Sequence, residues 1–142
     1  QAAPERVIPK IPMTHTGMRV ARRLKAQGAR VAFTAVTTVA QAYGAALISA
    51  EYVIPYFNRL QRSGIDAGQR ISEMADVLHN MGSQTRILTA SIKSTEEAAS
   101  ALLSGSDDLT IAPQALLNML SDPLTEEAIE RFEQDWQKVK KL

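Results

Sequence analysis

The chain has 142 residues, 45% of them apolar and 22% charged, with a formal net charge of +1. That is enough chain for one ordinary core, and the near-neutral balance excludes a broad attraction to nucleic acid or to an anionic membrane surface. There is no cysteine, which excludes disulfides and thiolate metal sites, and the two histidines, His15 and His79, lie far apart with no carboxylates at metal-ligand spacing.

No apolar run reaches the roughly 18 residues of a membrane span. The opening "QAAPER" lacks the basic-then-apolar order of a signal peptide. No membrane partner and a cytoplasmic location are therefore expected, and a reducing compartment fits the absence of cysteine. The first residue is not methionine and a strand-like segment arrives at Val7. The pattern reads as one that starts inside a larger one.

The first predicted strand covers residues 6–10, in "RVIPKIPMT". Lys10 sits there among apolar residues, between Pro9 and Pro12. An ammonium group in such company is expected if it is a nucleophile, because desolvation favours the neutral amine that attacks carbonyls. A helix is predicted over 17–27. Its basic run "RVARRLKAQGAR" has Val20, Ala21 and Leu24 as an inward stripe, so its charges form a solvated face. No aromatic residue interleaves with them, and no nucleic-acid partner is expected.

A second strand is predicted over 30–35 and a helix over 39–49, then a third strand over 51–56. Residues 57–66, holding Arg59, Arg62 and Gly64, read as a long loop of the kind that is often functional. A helix over 67–80 and a strand over 86–91 follow. "STEEAASALLSG" then offers Ser94 or Thr95 as N-cap, Glu96 and Glu97 in the first turn and Gly105 just past the end, for a helix over 95–104. A fifth strand over 109–112 and a helix over 113–120 precede a last helix over 125–140. Thr125 opens that helix, and Ile129, Phe132, Trp136 and Val139 recur along it at helical spacing.

Strand–helix alternation implies a parallel α/β sheet with no internal domain boundary. Five strands do not close a (β/α)8 barrel, which typically takes about 250 residues. A doubly wound sheet usually carries a glycine-rich turn after its first strand, whereas "IPMTHTG" has one glycine. Chemistry in either architecture gathers at the carboxyl ends of the strands. Those ends hold Lys10, then Thr34, then Tyr56 with Asn58 and Arg59, then Ser91 with Lys93.

At these same positions "IPKIPMT", "FTAV", "EYVIPYFNRL", "LTASIKS" and "PLTEEAIERFEQDW" resemble the transaldolase and fructose-6-phosphate aldolase family, in order and with similar spacing. The resemblance implies a (β/α)8 barrel. This chain would be the C-terminal portion, the fourth to eighth strands plus the last helix. It implies that Lys10 forms a Schiff base with a ketose phosphate or a dihydroxyacetone unit and that Tyr56 handles protons. Thr34 would line the pocket, and Arg59, Ser91 and Lys93 would hold the substrate phosphate, with Asn58 beside them. "PYFNR" leans toward the aldolase branch. The family's acidic residue on the first strand, its asparagine on the second and its water ligand on the third have no counterpart here. No cofactor and no metal are implied. The missing N-terminal half would come from the same or another chain, and a homo-oligomer is expected. The alternative is a non-catalytic barrel portion or assembly module.

Overall fold

The computed structural model describes residues 6–140. Five strands alternate with helices: β1 (Lys10–Pro12), α1 (His15–Ala26), β2 (Ala32–Val36), α2 (Val39–Leu47), β3 (Tyr52–Pro55), α3 (Phe57–Arg62), α4 (Ala67–Asn80), β4 (Arg86–Ile92), α5 (Thr95–Leu103) and β5 (Asp108–Ile111). The strands form one parallel sheet in the order β1-β2-β3-β4-β5. Chain contacts divide the molecule into a first unit ending at Ile111 and a second beginning at Ala112.

Why the sheet is of barrel type follows from where its two faces go. Phe33, Val53 and Ile87 point to one face. There they pack with Ala21 of α1, Ala42 and Ala45 of α2, Ile71 and Met74 of α4, and Ala98 of α5. The opposite face carries Ala32, Ile54 and Ala90 with Ile8, Tyr52, Tyr56 and Leu88 packed against them, and no helix residue of the first unit joins this cluster among the described residues. Sequential strand order with helices on one face is the arrangement of a (β/α) barrel wall. A doubly wound sheet has helices on both faces.

The helices start on local chemistry. Thr14, Thr38, Asp66 and Ser94 each accept a backbone N–H of the first turn, and at α2 Gln41 returns the favour as a full capping box. Gly17 has a packing reason: a Cβ there would lie 1.9 Å from the Pro12 carbonyl oxygen, so only glycine lets α1 close onto the end of β1.

Three expectations shift. The first strand begins at Lys10 instead of ending there, because the ladder to β2 runs through the Pro9 carbonyl and the Met13 N–H. The region expected as a loop holds α3, whose Phe57 and Leu60 are buried one turn apart. The last helix starts at Pro123, two residues before the expected start, with the Asp122 carboxylate accepting the Leu124 and Thr125 N–H groups as its cap.

The second unit has α6 (Pro113–Asn118) and α7 (Pro123–Val139). Leu124, Ile129, Phe132, Trp136 and Val139 of α7 are all exposed. No helix among the described residues is long and apolar enough to cross a membrane.

Candidate active site

Side chains of paired residues in a sheet point to the same face, and alternate residues share it. Lys10 pairs with Ala32, Pro12 with Thr34, and Thr34 with Ile54, while Tyr56 bridges to Ala90. Lys10, Thr34 and Tyr56 therefore stand on the helix-free face. Two of them touch: the Tyr56 hydroxyl and Thr34 Oγ1 are 2.6 Å apart. Thr34 is buried and Tyr56 half-buried, so this hydrogen bond is shielded and orients the phenol.

Lys10 is exposed, and the desolvation expected of it is not present. Its flanking apolar residues explain this. Ile11 packs among the helices on the other face, leaving Lys10 on a face where β1 is the last strand of the sheet among the described residues. Apolar neighbours along a strand bury alternate positions; they do not cover the residue between them.

The strand ends themselves are irregular. Register shifts occur between Thr34 and Val36 and between Thr89 and Ile92, and Ala35 and Ser91 both adopt left-handed backbone, with φ of 56° and 61°. Such conformations in residues other than glycine store strain of about 1–3 kcal/mol each, and such strain clusters at functional sites. Here the bulges lie beside Thr34 and at Ser91, re-aiming the chain where the site is built.

Next to the Tyr56–Thr34 pair lies a cleft of about 510 Å³ lined by Asn58, Arg59, Arg62, Ser63, Ser91 and Lys93. The structure thus brings Asn58, Arg59, Ser91 and Lys93 together, and adds Arg62 and Ser63. The Arg59 guanidinium lies over the Tyr56 ring, 4.6 Å from its centroid, linking cleft and phenol. No carboxylate forms an ion pair with Arg59, Arg62 or Lys93 among the described residues. The Asn58 side chain is already engaged, donating from Nδ2 to Glu97 Oε1 at 2.9 Å.

Glu97 is a positioning residue that the sequence reading left as a helix-start acid. Its other oxygen accepts the Lys93 N–H at 2.7 Å, and its own N–H is capped by Ser94 Oγ. One carboxylate thus ties the first turn of α3 to the β4–α5 connection, the two walls of the cleft. The serine-to-glutamate spacing of a capping box was the available signal. For Arg62 the signal was its i+3 spacing from Arg59, readable only once 57–62 is known to be helical. Among the described residues no three histidine, aspartate or glutamate side chains converge as a metal site would need.

Solved structures of similar shape share the fold. A flavocytochrome b2 double mutant with pyruvate bound superposes with a TM-score of 0.52 at 14% identity, over 66% of this chain and 25% of that one. The recombinant flavin-binding domain of baker's yeast flavocytochrome b2 gives 0.53 at 14% identity, over 64% and 25%. A Trypanosoma brucei GMP reductase variant in complex with guanosine 5'-monophosphate gives 0.57 at 10% identity, over 72% and 24%. This chain spans about a quarter of the length of each. At such identities the likeness concerns fold alone.

Sequence carries the family assignment. The family model described as "Transaldolase/Fructose-6-phosphate aldolase" matches residues 1–142, and its fold is the (β/α)8 barrel. With its parallel sheet, one-sided helices and polar groups gathered at the strand ends, the chain belongs to the transaldolase/fructose-6-phosphate aldolase family.

Proposed function

We propose that the chain is the C-terminal portion of a Schiff-base-forming aldolase or transaldolase acting on ketose phosphates such as fructose 6-phosphate. The observation that carries this reading is the shared face of Lys10, Thr34 and Tyr56, with the Tyr56–Thr34 hydrogen bond at 2.6 Å and an unpaired cationic cleft beside it.

In this reading the Lys10 amine attacks the ketose carbonyl and water leaves, giving a protonated imine. The imine draws the electron pair of the adjacent carbon–carbon bond as that bond breaks, and becomes an enamine. Tyr56 takes the proton from the hydroxyl that becomes the aldehyde and later returns one to the enamine carbon. Hydrolysis then frees Lys10 and dihydroxyacetone. In the transferase variant the enamine adds to a second aldehyde instead. Arg59, Ser91 and Lys93 hold the phosphate, since guanidinium, hydroxyl and ammonium donors suit a dianion. Asn58 shapes this cleft through Glu97. The first three barrel strands, from the same or another chain, would cover the Lys10 face and desolvate the amine.

Borohydride reduction in the presence of dihydroxyacetone tests this directly. The intact protein should become covalently labelled on Lys10, read by peptide mass spectrometry. No label under conditions where the protein is folded overturns the enzymatic reading.

A second reading, an assembly role within a homo-oligomer, is favoured by the exposed stripe of Ile129, Phe132, Trp136 and Val139 on α7. Sedimentation separates the two. Assembly that Trp136→Ala and Phe132→Ala dissolve, without any Lys10 labelling, supports the second reading alone.

A further inference from the structure

The cleft beside Tyr56 holds more positive charge than the roles proposed above use. Arg59 and Arg62 are three residues apart on α3, and both line the cleft with Lys93 from the β4–α5 connection. Arg59 is partly committed, its guanidinium stacked over the Tyr56 ring. Lys93 brings a point charge with no fork geometry. The Arg62 side chain is exposed to the cleft with no ion-pair or hydrogen-bond partner among the described residues. Glu97 spends its two oxygens on Asn58 Nδ2 and the Lys93 N–H and makes no ion pair with these cations among the described residues.

We propose that Arg62 is a specificity-determining residue of this site, a free guanidinium fork that selects phosphate monoester dianions over uncharged sugars. The inference rests on the aldolase reading for the substrate's identity, but the anion chemistry stands on the cleft itself. A planar fork binds two oxygens of one phosphate at once, which the single ammonium of Lys93 cannot do, and Arg62 adds a second fork to that of the stacked Arg59. Ser63 and Ser91 lie in the same cleft and offer hydroxyl donors to the remaining oxygens.

Because Arg62 is exposed and follows the buried Leu60, replacing it leaves the core untouched. The probe is inorganic phosphate, titrated calorimetrically into the intact protein at low salt. R62Q should weaken phosphate binding by about tenfold, since a hydrogen-bonded charged pair is lost. R62K should recover only part of it, keeping the charge without the fork. R22Q, which removes an arginine of α1 outside the cleft, controls for net charge. With substrates, R62Q should lower the preference for fructose 6-phosphate over fructose by a similar factor, mainly through KM. Phosphate affinity unchanged in R62Q, or lowered equally by R22Q, overturns the proposal. The two readings fail separately. Arg62-dependent phosphate binding without borohydride labelling sinks the aldolase assignment alone, and labelling with phosphate binding indifferent to Arg62 sinks this one alone.

Discussion

The two ends of the sheet treat their charges in opposite ways. At the amino end the cations are matched. Arg30 forks onto Glu51, with Nε and Nη2 at 3.1 and 2.7 Å from its two oxygens. Arg86 reaches Asp108 at 3.0 Å and Asp107 at 4.0 Å, and Lys25 donates to the Ser49 carbonyl at 2.8 Å. At the carboxyl end Arg59, Arg62 and Lys93 face one cleft with no carboxylate in ion-pair range among the described residues. Matched charges tie neighbouring strands to one another. Unmatched charges that share a cleft raise the local potential for an anion. The same division of labour, stability at one end and chemistry at the other, is general to barrel walls.

Substitutions at Lys10 and at the carboxyl end should therefore change function more than stability, and those among the matched amino-end charges the reverse. The largest effect belongs to Lys10→Met. It should abolish borohydride labelling and lower aldol cleavage by on the order of a thousandfold or more, as expected when a covalent nucleophile is lost. Because Lys10 is exposed, its replacement should leave the melting temperature nearly unchanged. Tyr56→Phe comes next, with a loss of about a hundredfold in kcat if the phenol moves protons. Because the 2.6 Å bond to Thr34 is lost too, it should also cost about 1 kcal/mol of stability, measurable by denaturant titration. Ser91→Gly is smaller and more telling. It removes a hydroxyl proposed to bind phosphate but relieves a residue held at φ 61°. KM for the phosphorylated ketose should rise by about threefold to tenfold while the melting temperature holds or increases. A Ser91→Gly protein that is both less stable and fully active would break the contrast between the ends.

Much of this contrast was legible before the coordinates. Alternating apolar and helical segments place β2 to β5 and put the first strand a few residues too early, and reading the carboxyl ends collects Thr34, Tyr56, Arg59, Ser91 and Lys93 into one neighbourhood, as the sheet does. What stayed hidden depends on distance along the chain. The Asn58–Glu97 contact joins residues 39 apart, and no local pattern encodes it. Helix α3 was missed because "FNRLQR" has two apolar residues, one turn's worth, too few to outweigh its polar look. The exposure of Lys10 was illegible for another reason. Whether a strand residue is desolvated depends on what lies across from its face, and neighbours in sequence report only on its own strand.

At the amino end the smallest effect is also the most specific, because its pH dependence has a fixed direction. The Arg30 fork holds the Glu51 carboxyl below its ordinary range. The hydrogen bond from Arg30 is the main cause; burial opposes it, and the charges of Arg30, Lys25 and Arg86 add smaller lowering contributions. A carboxylate with a lowered folded-state value stabilises the fold at every pH above its unfolded value, and that contribution is lost as pH falls through the folded one. Both side chains are partly exposed, so the pair contributes only as much as a well-aligned surface bridge does. Glu51→Gln should therefore give a small decrease in melting temperature at pH 7, no decrease relative to wild type once pH has fallen below the folded-state value of Glu51, and no change in phosphate affinity. Melting curves across pH check the first two, and the phosphate titration checks the third. Should Glu51→Gln weaken phosphate binding, the two ends would be coupled through β3, and the separation of structural from binding charge would fail at the strand that connects Glu51 to Tyr56.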